Sequence, residues 1–354
     1  MATDCGNCYL AIESSLADHE RAHQSVRWGF TVRRDVCLSL LLSFAVTIAL
    51  VPTAFAQQVT RIEYITFETN VVPNRPSKPI LLRALLYIPT NVELPISAVV
   101  ITPSSGGVRE DVEIHYASNL ARSGIAALVI DSFGSRGVAH TVHDQRLVDD
   151  WQMVNDAIAG LRQLIADRRF KRDRVGILGV SKGGIVAMNT ALTSVLKWAG
   201  ASDIRFAAHV AIVPHCGLVP RARGTTGSPM LFLLAELDDQ CPPEDCLRHA
   251  DDLRNGGKPN IEVKVYNGAH HAWEVLGERP FFDKSAQNFS RCRAIIDEDG
   301  SSTAPDGTRI RADEWYAWAT ANCITLGAWC CGGTESQKRR ATDDIIAFLR
   351  KHDF

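Results

Sequence analysis

The chain has 354 residues, with 38 basic and 40 acidic side chains and a formal charge of −2. That near balance leaves no electrostatic footprint for nucleic acid. The length is ample for one large α/β domain, since such domains run past about 200 residues without splitting.

The first stretch of chain reads as an address rather than a fold. Residues 1–26 are polar and include His19, Glu20, Arg21 and His23. Arg33 and Arg34 then precede an uncharged apolar run over 36–51, and Ala54-Phe55-Ala56 follows as an A-x-A-like cleavage site. Residues 1–56 are therefore expected to be an N-terminal extension and signal peptide, with cleavage after Ala56, export to the periplasm or beyond, and no stable membrane association afterwards. No Met occurs between Met1 and Met153, which leaves two readings of residues 1–26: translation starting at Val26 or Val32, or a genuine extension. N-terminal sequencing of the native protein is expected to give Gln57. Recovery in the membrane fraction with the apolar run uncleaved would identify an anchor instead.

The mature part, 57–354, alternates. Strands are predicted over 60–67 and 80–87, an antiparallel edge pair. Further strands are predicted over 98–101, 125–130, 175–178, 206–213, 229–235 and 261–266. Helices are predicted over 112–122, 147–167, 185–198, 243–254 and 342–352. Such alternation argues for an α/β fold with a mostly parallel sheet and helices on both faces. Residues 276–335 break the pattern, being irregular and rich in Gly, Asp, Trp and Cys. They read as an insertion near the end of the sheet, either forming a wall of the site or making a surface excursion away from it.

The chemistry concentrates at Gly179-Val180-Ser181-Lys182-Gly183. An apolar run precedes it and a helical pattern follows, which is the strand, sharp turn, helix context of a nucleophile elbow. A serine is a weak nucleophile until a base takes its proton. Two later strands supply candidates. Glu236-Leu237-Asp238-Asp239 follows the strand over 229–235, and Asn267-Gly268-Ala269-His270-His271 follows the strand over 261–266. The order Ser, Asp, His is that of α/β-hydrolases. Each group also lies just past the carboxyl end of a strand, where open α/β sheets place their sites.

Ser181 is thus the expected nucleophile, His271 the base and Asp238 its orienter, with Asp239 the alternative acid. The N–H of Lys182 is expected to be one oxyanion donor, and that of Ser105, in the loop over 102–107, the other. The Lys182 side chain reads as a surface cation. Arg136 either clamps a substrate carboxylate bidentately or pairs with an acid and holds its loop. His215 either lines the substrate site or is a buried structural histidine. None of these roles requires a metal or a cofactor.

These residues resemble the dienelactone hydrolase family of α/β-hydrolases over roughly 60–350. The resemblance rests on the stretch around Ser181, on Asp131-Ser132-Phe133-Gly134-Ser135-Arg136-Gly137, on the spacing of Asp238 and Pro242, and on Gly268-Ala269-His270-His271-Ala272-Trp273. It implies Asp238 over Asp239 and His271 over His270, and a small-molecule ester or lactone as substrate. Two departures stand out. The founding enzymes carry a cysteine nucleophile where this chain has Ser181. Many relatives carry His-Gly where this chain reads Thr102-Pro103-Ser104-Ser105-Gly106-Gly107. The alternatives are a serine peptidase of related fold and a non-catalytic binding protein on a hydrolase scaffold.

Of ten cysteines, Cys216, Cys241, Cys246, Cys292, Cys323, Cys330 and Cys331 remain after the expected cleavage. An exported chain with that many is expected to be disulfide-bonded, and an odd number leaves one over. Cys241 and Cys246 bracket a short Pro-Pro loop and are the expected local pair. Cys292 is expected to reach Cys323, Cys330 or Cys331. Among these seven, no C-x-x-C pair points to zinc.

Overall fold

Eight strands form one sheet in the order β1-β2-β4-β3-β5-β6-β8-β9. The computed structural model describes residues 60–69, 79–256, 260–277 and 279–354, all within a unit spanning Ala56–Phe354. The expected signal peptide, its cleavage point and residues 1–26 lie outside the described residues. β1 (Thr60–Glu68) and β2 (Leu81–Pro89) are antiparallel to each other, and β2 is antiparallel to β4 (Ala126–Asp131). The remaining pairings are parallel. They run through β3 (Ile96–Thr102), β5 (Phe170–Val180), β6 (His209–Ile212), β8 (Met230–Ala235) and β9 (Ile261–Tyr266).

The central strands are apolar on both faces because both are covered. Every residue of β3, β6 and β8 is buried, the mark of a sheet sandwiched between helices. Alternate side chains enter different cores. Ala98 and Val100 pack with Val154 and Ile158 of α2 (Asp150–Ala166), Val186 of α3 (Lys182–Asn189) and Leu253 of α5 (Pro243–Asn255). Val99 and Ile101 pack with Tyr116 and Leu120 of α1 (Glu113–Arg122) and with Ile345 and Phe348 of α7 (Glu335–Lys351). A capping box starts α2, where Asp149 accepts from the Gln152 N–H and Gln152 returns the bond.

Several boundaries differ from expectation. The helix expected over 185–198 begins at Lys182 and stops at Asn189, and a second short helix, α4 (Thr193–Trp198), follows after extended Leu192. The strand expected over 206–213 shortens to β6. The last helix starts at Glu335, seven residues before expectation. Its first turns are polar, and their signal is the capping box of Thr334 with Gln337 rather than an apolar stripe.

The stretch expected to be irregular, 276–335, has structure of its own. β10 (Phe281–Asn288) pairs with β14 (Thr325–Cys330). β11 (Ala294–Ile296), β12 (Ser302–Thr303) and β13 (Arg309–Ile310) form a small sheet with β7 (Leu218–Pro220), which leaves the main domain just after β6. Helix α6 (Trp315–Asn322) packs over the disulfide Cys292–Cys323.

Two more disulfides are present, Cys216–Cys246 and Cys330–Cys331, and Cys241 is free and buried. The local pair Cys241–Cys246 is not made. Pro243 opens α5 immediately, which turns Cys246 onto the helix face buried in the core, against Cys216 at the end of β6. No helix among the described residues is long and apolar enough to cross a membrane.

Candidate active site

Ser181 takes its position from β5 and α3. β5 lies between β3 and β6, and the chain reverses at Ser181 with φ 54° and ψ −114°. A non-glycine residue in that region is strained, and such strain clusters at sites where a side chain must be presented. The turn is possible only because its flanks lack Cβ atoms. A Cβ on Gly179 would strike the Gly183 carbonyl, and one on Gly183 would strike the Thr102 carbonyl. The Thr102 hydroxyl then donates to the Leu178 and Gly183 carbonyls and ties β3 to the turn.

Three side chains meet above the sheet. The Ser181 hydroxyl lies 2.8 Å from His271 Nε2, and His271 Nδ1 lies 2.8 Å from Asp238 Oδ2. A carboxylate only accepts, so Nδ1 carries the proton and Nε2 is left to accept from Oγ. Asp238 Oδ1 is held by the N–H groups of Gln240 and Cys241, at 2.9 and 2.8 Å. Asp239 points elsewhere and accepts from the Trp329 N–H at 3.0 Å.

His271 is held from behind by its carbonyl, which accepts from the Cys331 N–H at 2.7 Å. Two residues on, fully buried Trp273 stacks on Tyr266 of β9 with ring centroids 4.9 Å apart. Burial of the imidazole works against its charged form. The Asp238 carboxylate, helped by Cys241, outweighs that penalty and holds the His271 pKa well above its ordinary value.

Ser105 and Lys182 both line the cavity beside Ser181. The Lys182 N–H is at the first turn of α3, where backbone donors have no carbonyl within the helix. In the 102–107 loop the Ser104 N–H is already committed to Glu113 Oε1 at 2.8 Å, and the Arg109 N–H to Oε2 at 2.9 Å. Sequence reading missed Glu113, because an acid on an amphipathic helix looks like a solvated face. It is fully buried, and burial lifts its pKa from an ordinary 4.5 to about 7 against the pull of those N–H donors.

The folded protein therefore holds a proton between about pH 4.5 and 7 that the unfolded chain has released, so this group's contribution to stability falls as pH rises through that window. Glu113→Gln removes the titration, and the gap in melting temperature between variant and parent is expected to narrow from pH 4.5 to 7.5. Thermal melts across that range check it.

The Lys182 side chain is not a surface cation. It is buried, its ammonium donates to the Gln145 carbonyl and Oε1 at 2.8 and 3.0 Å, and it lies 3.7 Å from Asp150. Burial, outweighing the nearby acids, lowers its pKa. Its partners precede it by more than thirty residues, so nothing local announced them.

Arg136 does not reach the cavity. Asp156, wholly buried on α2, takes its guanidinium in two bonds of 2.7 and 2.9 Å, and the Ser132 carbonyl takes a third. The structural role fits this placement and the substrate clamp does not. Arg136→Ala strands a buried carboxylate and is expected to cost about 3–5 kcal/mol of stability, with acidic and neutral esters affected alike. Denaturant unfolding and a matched substrate pair check both parts. His215 does line the cavity. Its Nε2–H donates to the Phe289 carbonyl at 2.9 Å, and burial lowers its pKa to about 4, so it is a neutral wall residue.

The cavity measures about 990 Å³, and 276–335 supplies much of its wall, including Phe281, Gln287, Phe289, Ile296, Trp315 and Tyr316. The reading of this stretch as a wall is the one that fits. Asp238, Cys241 and His271 offer ligand atoms within 4.8 Å of one another, a spacing compatible with a metal ion, but both His271 nitrogens and Asp238 are engaged by the contacts above.

Residues 82–295 match the model of the dienelactone hydrolase family. A Bradyrhizobium protein described as a probable 2-oxo-3-(5-oxofuran-2-ylidene)propanoate lactonase is 24% identical over 204 residues, covering 54% of this chain and 81% of that one. Among solved structures, a dienelactone hydrolase-like promiscuous phosphotriesterase from metagenomic libraries is 14% identical with a TM-score of 0.49, over 82% of this chain and 98% of its own. Esterase 2 of Thermogutta terrifontis, phosphorylated by paraoxon, is 17% identical with a TM-score of 0.44, over 59% of this chain and 84% of its own. The family match spans more than half of the sequence, and the chain belongs to the dienelactone hydrolase family, hydrolases of the ester and lactone type.

Proposed function

We propose that this chain is an exported serine hydrolase that cleaves carboxylic esters or lactones through an acyl-serine intermediate. The observation that carries the reading is the row of hydrogen bonds from Ser181 Oγ through His271 to Asp238, opening onto the cavity. Ser181 Oγ attacks the ester carbonyl as His271 Nε2 takes its proton. The carbonyl oxygen gains negative charge and meets the N–H groups of Lys182 and Ser105. The C–O bond breaks, and His271 returns the proton to the leaving alkoxide. Water then attacks the acyl-serine by the same route, giving the acid and free Ser181. Asp238 keeps Nδ1 protonated and stabilises the imidazolium. No step calls for a cofactor.

Export is supported by the three disulfides, which persist in oxidising compartments. A serine peptidase reading is less favoured, because no propeller or other large gating domain is present among the described residues. A dead scaffold is disfavoured by the intact Ser181, Asp238 and His271. The test is labelling of the purified protein with a fluorophosphonate, followed by a screen of p-nitrophenyl esters of graded chain length. Absence of both labelling and turnover would refute the reading.

A further inference from the structure

The cavity wall has a charge pattern that bears on what it accepts. Asp149, Asp150, Asp283, Asp297, Glu298 and Asp313 line it, against Arg109, Arg146, Lys182 and Lys197. The basic groups near Ser181 are already held. Asp111 grips the Arg109 guanidinium with bonds of 2.9 and 3.0 Å, Asp144 does the same for Arg146 at 2.9 and 2.8 Å, and Gln145 holds Lys182. Lys197 is exposed, at the end of α4. A substrate carboxylate entering here meets an excess of like charge and must displace an existing acid to win a guanidinium.

The acids of the wall are largely held too: Asp149 caps α2, Asp150 faces Lys182, Asp283 pairs with His143, Asp297 with Arg221, and Asp313 with Arg311, while Glu298 is exposed. An ion that leaves water without gaining a partner is strongly penalised.

Aromatic side chains stand among the aliphatic ones of the wall. Trp151 and Trp198 meet with centroids 4.5 Å apart on one side, and Phe289 and Trp315 come from the 276–335 stretch. The Tyr316 ring is covered by the Arg146 guanidinium at 4.8 Å. About 990 Å³ is at the upper end of what holds a drug-sized ligand, roughly 300–1,000 Å³. Aromatic walls of this kind reward a flat ring beyond the area it buries.

We propose that the cavity selects an uncharged ester bearing a large aromatic group, and discriminates against esters with a free carboxylate. The inference rests on the reading of Ser181 as nucleophile. It sets this chain apart from its lactonase relative, whose named substrate is a propanoate.

Two probes of one shape test it: the 4-nitrophenyl esters of terephthalic acid monomethyl ester and of terephthalic acid as the free acid. With the wild-type protein, kcat/KM for the methyl ester is expected to exceed that for the free acid by tenfold or more, equal to about 1.4 kcal/mol. Equal or faster turnover of the free acid overturns the charge selection. The aromatic contribution is read separately, as the ratio of kcat/KM for the 4-nitrophenyl esters of 2-naphthoic and acetic acids. That ratio is expected to fall about tenfold in Trp198→Ala and in Trp315→Ala, with thermal melts verifying that each variant is folded. An unchanged ratio in both overturns the aromatic wall. Fluorophosphonate labelling at Ser181 with the wrong substrate preference sinks this inference alone, whereas no labelling sinks the hydrolase reading beneath it.

Discussion

Ser181→Ala is expected to lower kcat for p-nitrophenyl esters by on the order of a million-fold, with the residual rate due to binding and the oxyanion donors. The structure gives reason to expect that the fold survives. Alanine at φ 54° is as strained as serine there, and the hydroxyl's one side-chain bond is to His271. Melting temperature should therefore stay near that of the parent while fluorophosphonate labelling disappears. Labelling of the alanine protein at the parent rate would refute Ser181 as nucleophile.

Asp238→Asn is expected to cost about 10⁴ in kcat, and the reason is local. Oδ1 accepts two backbone N–H bonds, from Gln240 and Cys241. An asparagine keeps its oxygen there, since an NH₂ facing two donors is repelled. The NH₂ then faces His271 Nδ1, which must become the acceptor. The proton moves to Nε2, where it blocks the acceptance of Oγ–H. Asp239→Asn has no such consequence, because the Trp329 N–H still finds an amide oxygen. Its kcat should stay within about tenfold of the parent. Steady-state kinetics on the two variants settles which acid serves His271, and the reverse ranking would assign Asp239.

What could be read from the sequence was what the chain encodes locally. Ser181, Asp238 and His271 each sit at the end of a strand, in short motifs whose glycines and order carry the signal. The mostly parallel sheet followed from runs such as those of β3 and β8. The contacts that were not legible join distant stretches. Lys182 looked like a surface cation because Gln145 and Asp150 belong to an earlier helix and its approach. Cys246 looked like a partner for Cys241 because spacing says nothing about which face of α5 it occupies. Glu113 carries no signal in the sequence because its donors come from a loop whose path composition does not fix. The two roles open to Arg136 differ only in its partner, and that partner, Asp156, lies twenty residues on.

The stretch over 276–335 has a bearing on how this protein can diversify. Ser181, Asp238 and His271 stand on the main sheet, while much of the cavity wall hangs on small sheets of its own, fastened by Cys292–Cys323 and by the parallel pairing of β7 with β11. Part of the cavity wall is thus written in a stretch of the gene apart from Ser181, Asp238 and His271. Substitutions at Phe281, Phe289 or Trp315 can reshape selectivity without touching the sheet that holds the chain together. A library randomised at those three positions should consequently return many folded proteins with altered substrate range, a route to new specificities that leaves the reaction itself unchanged.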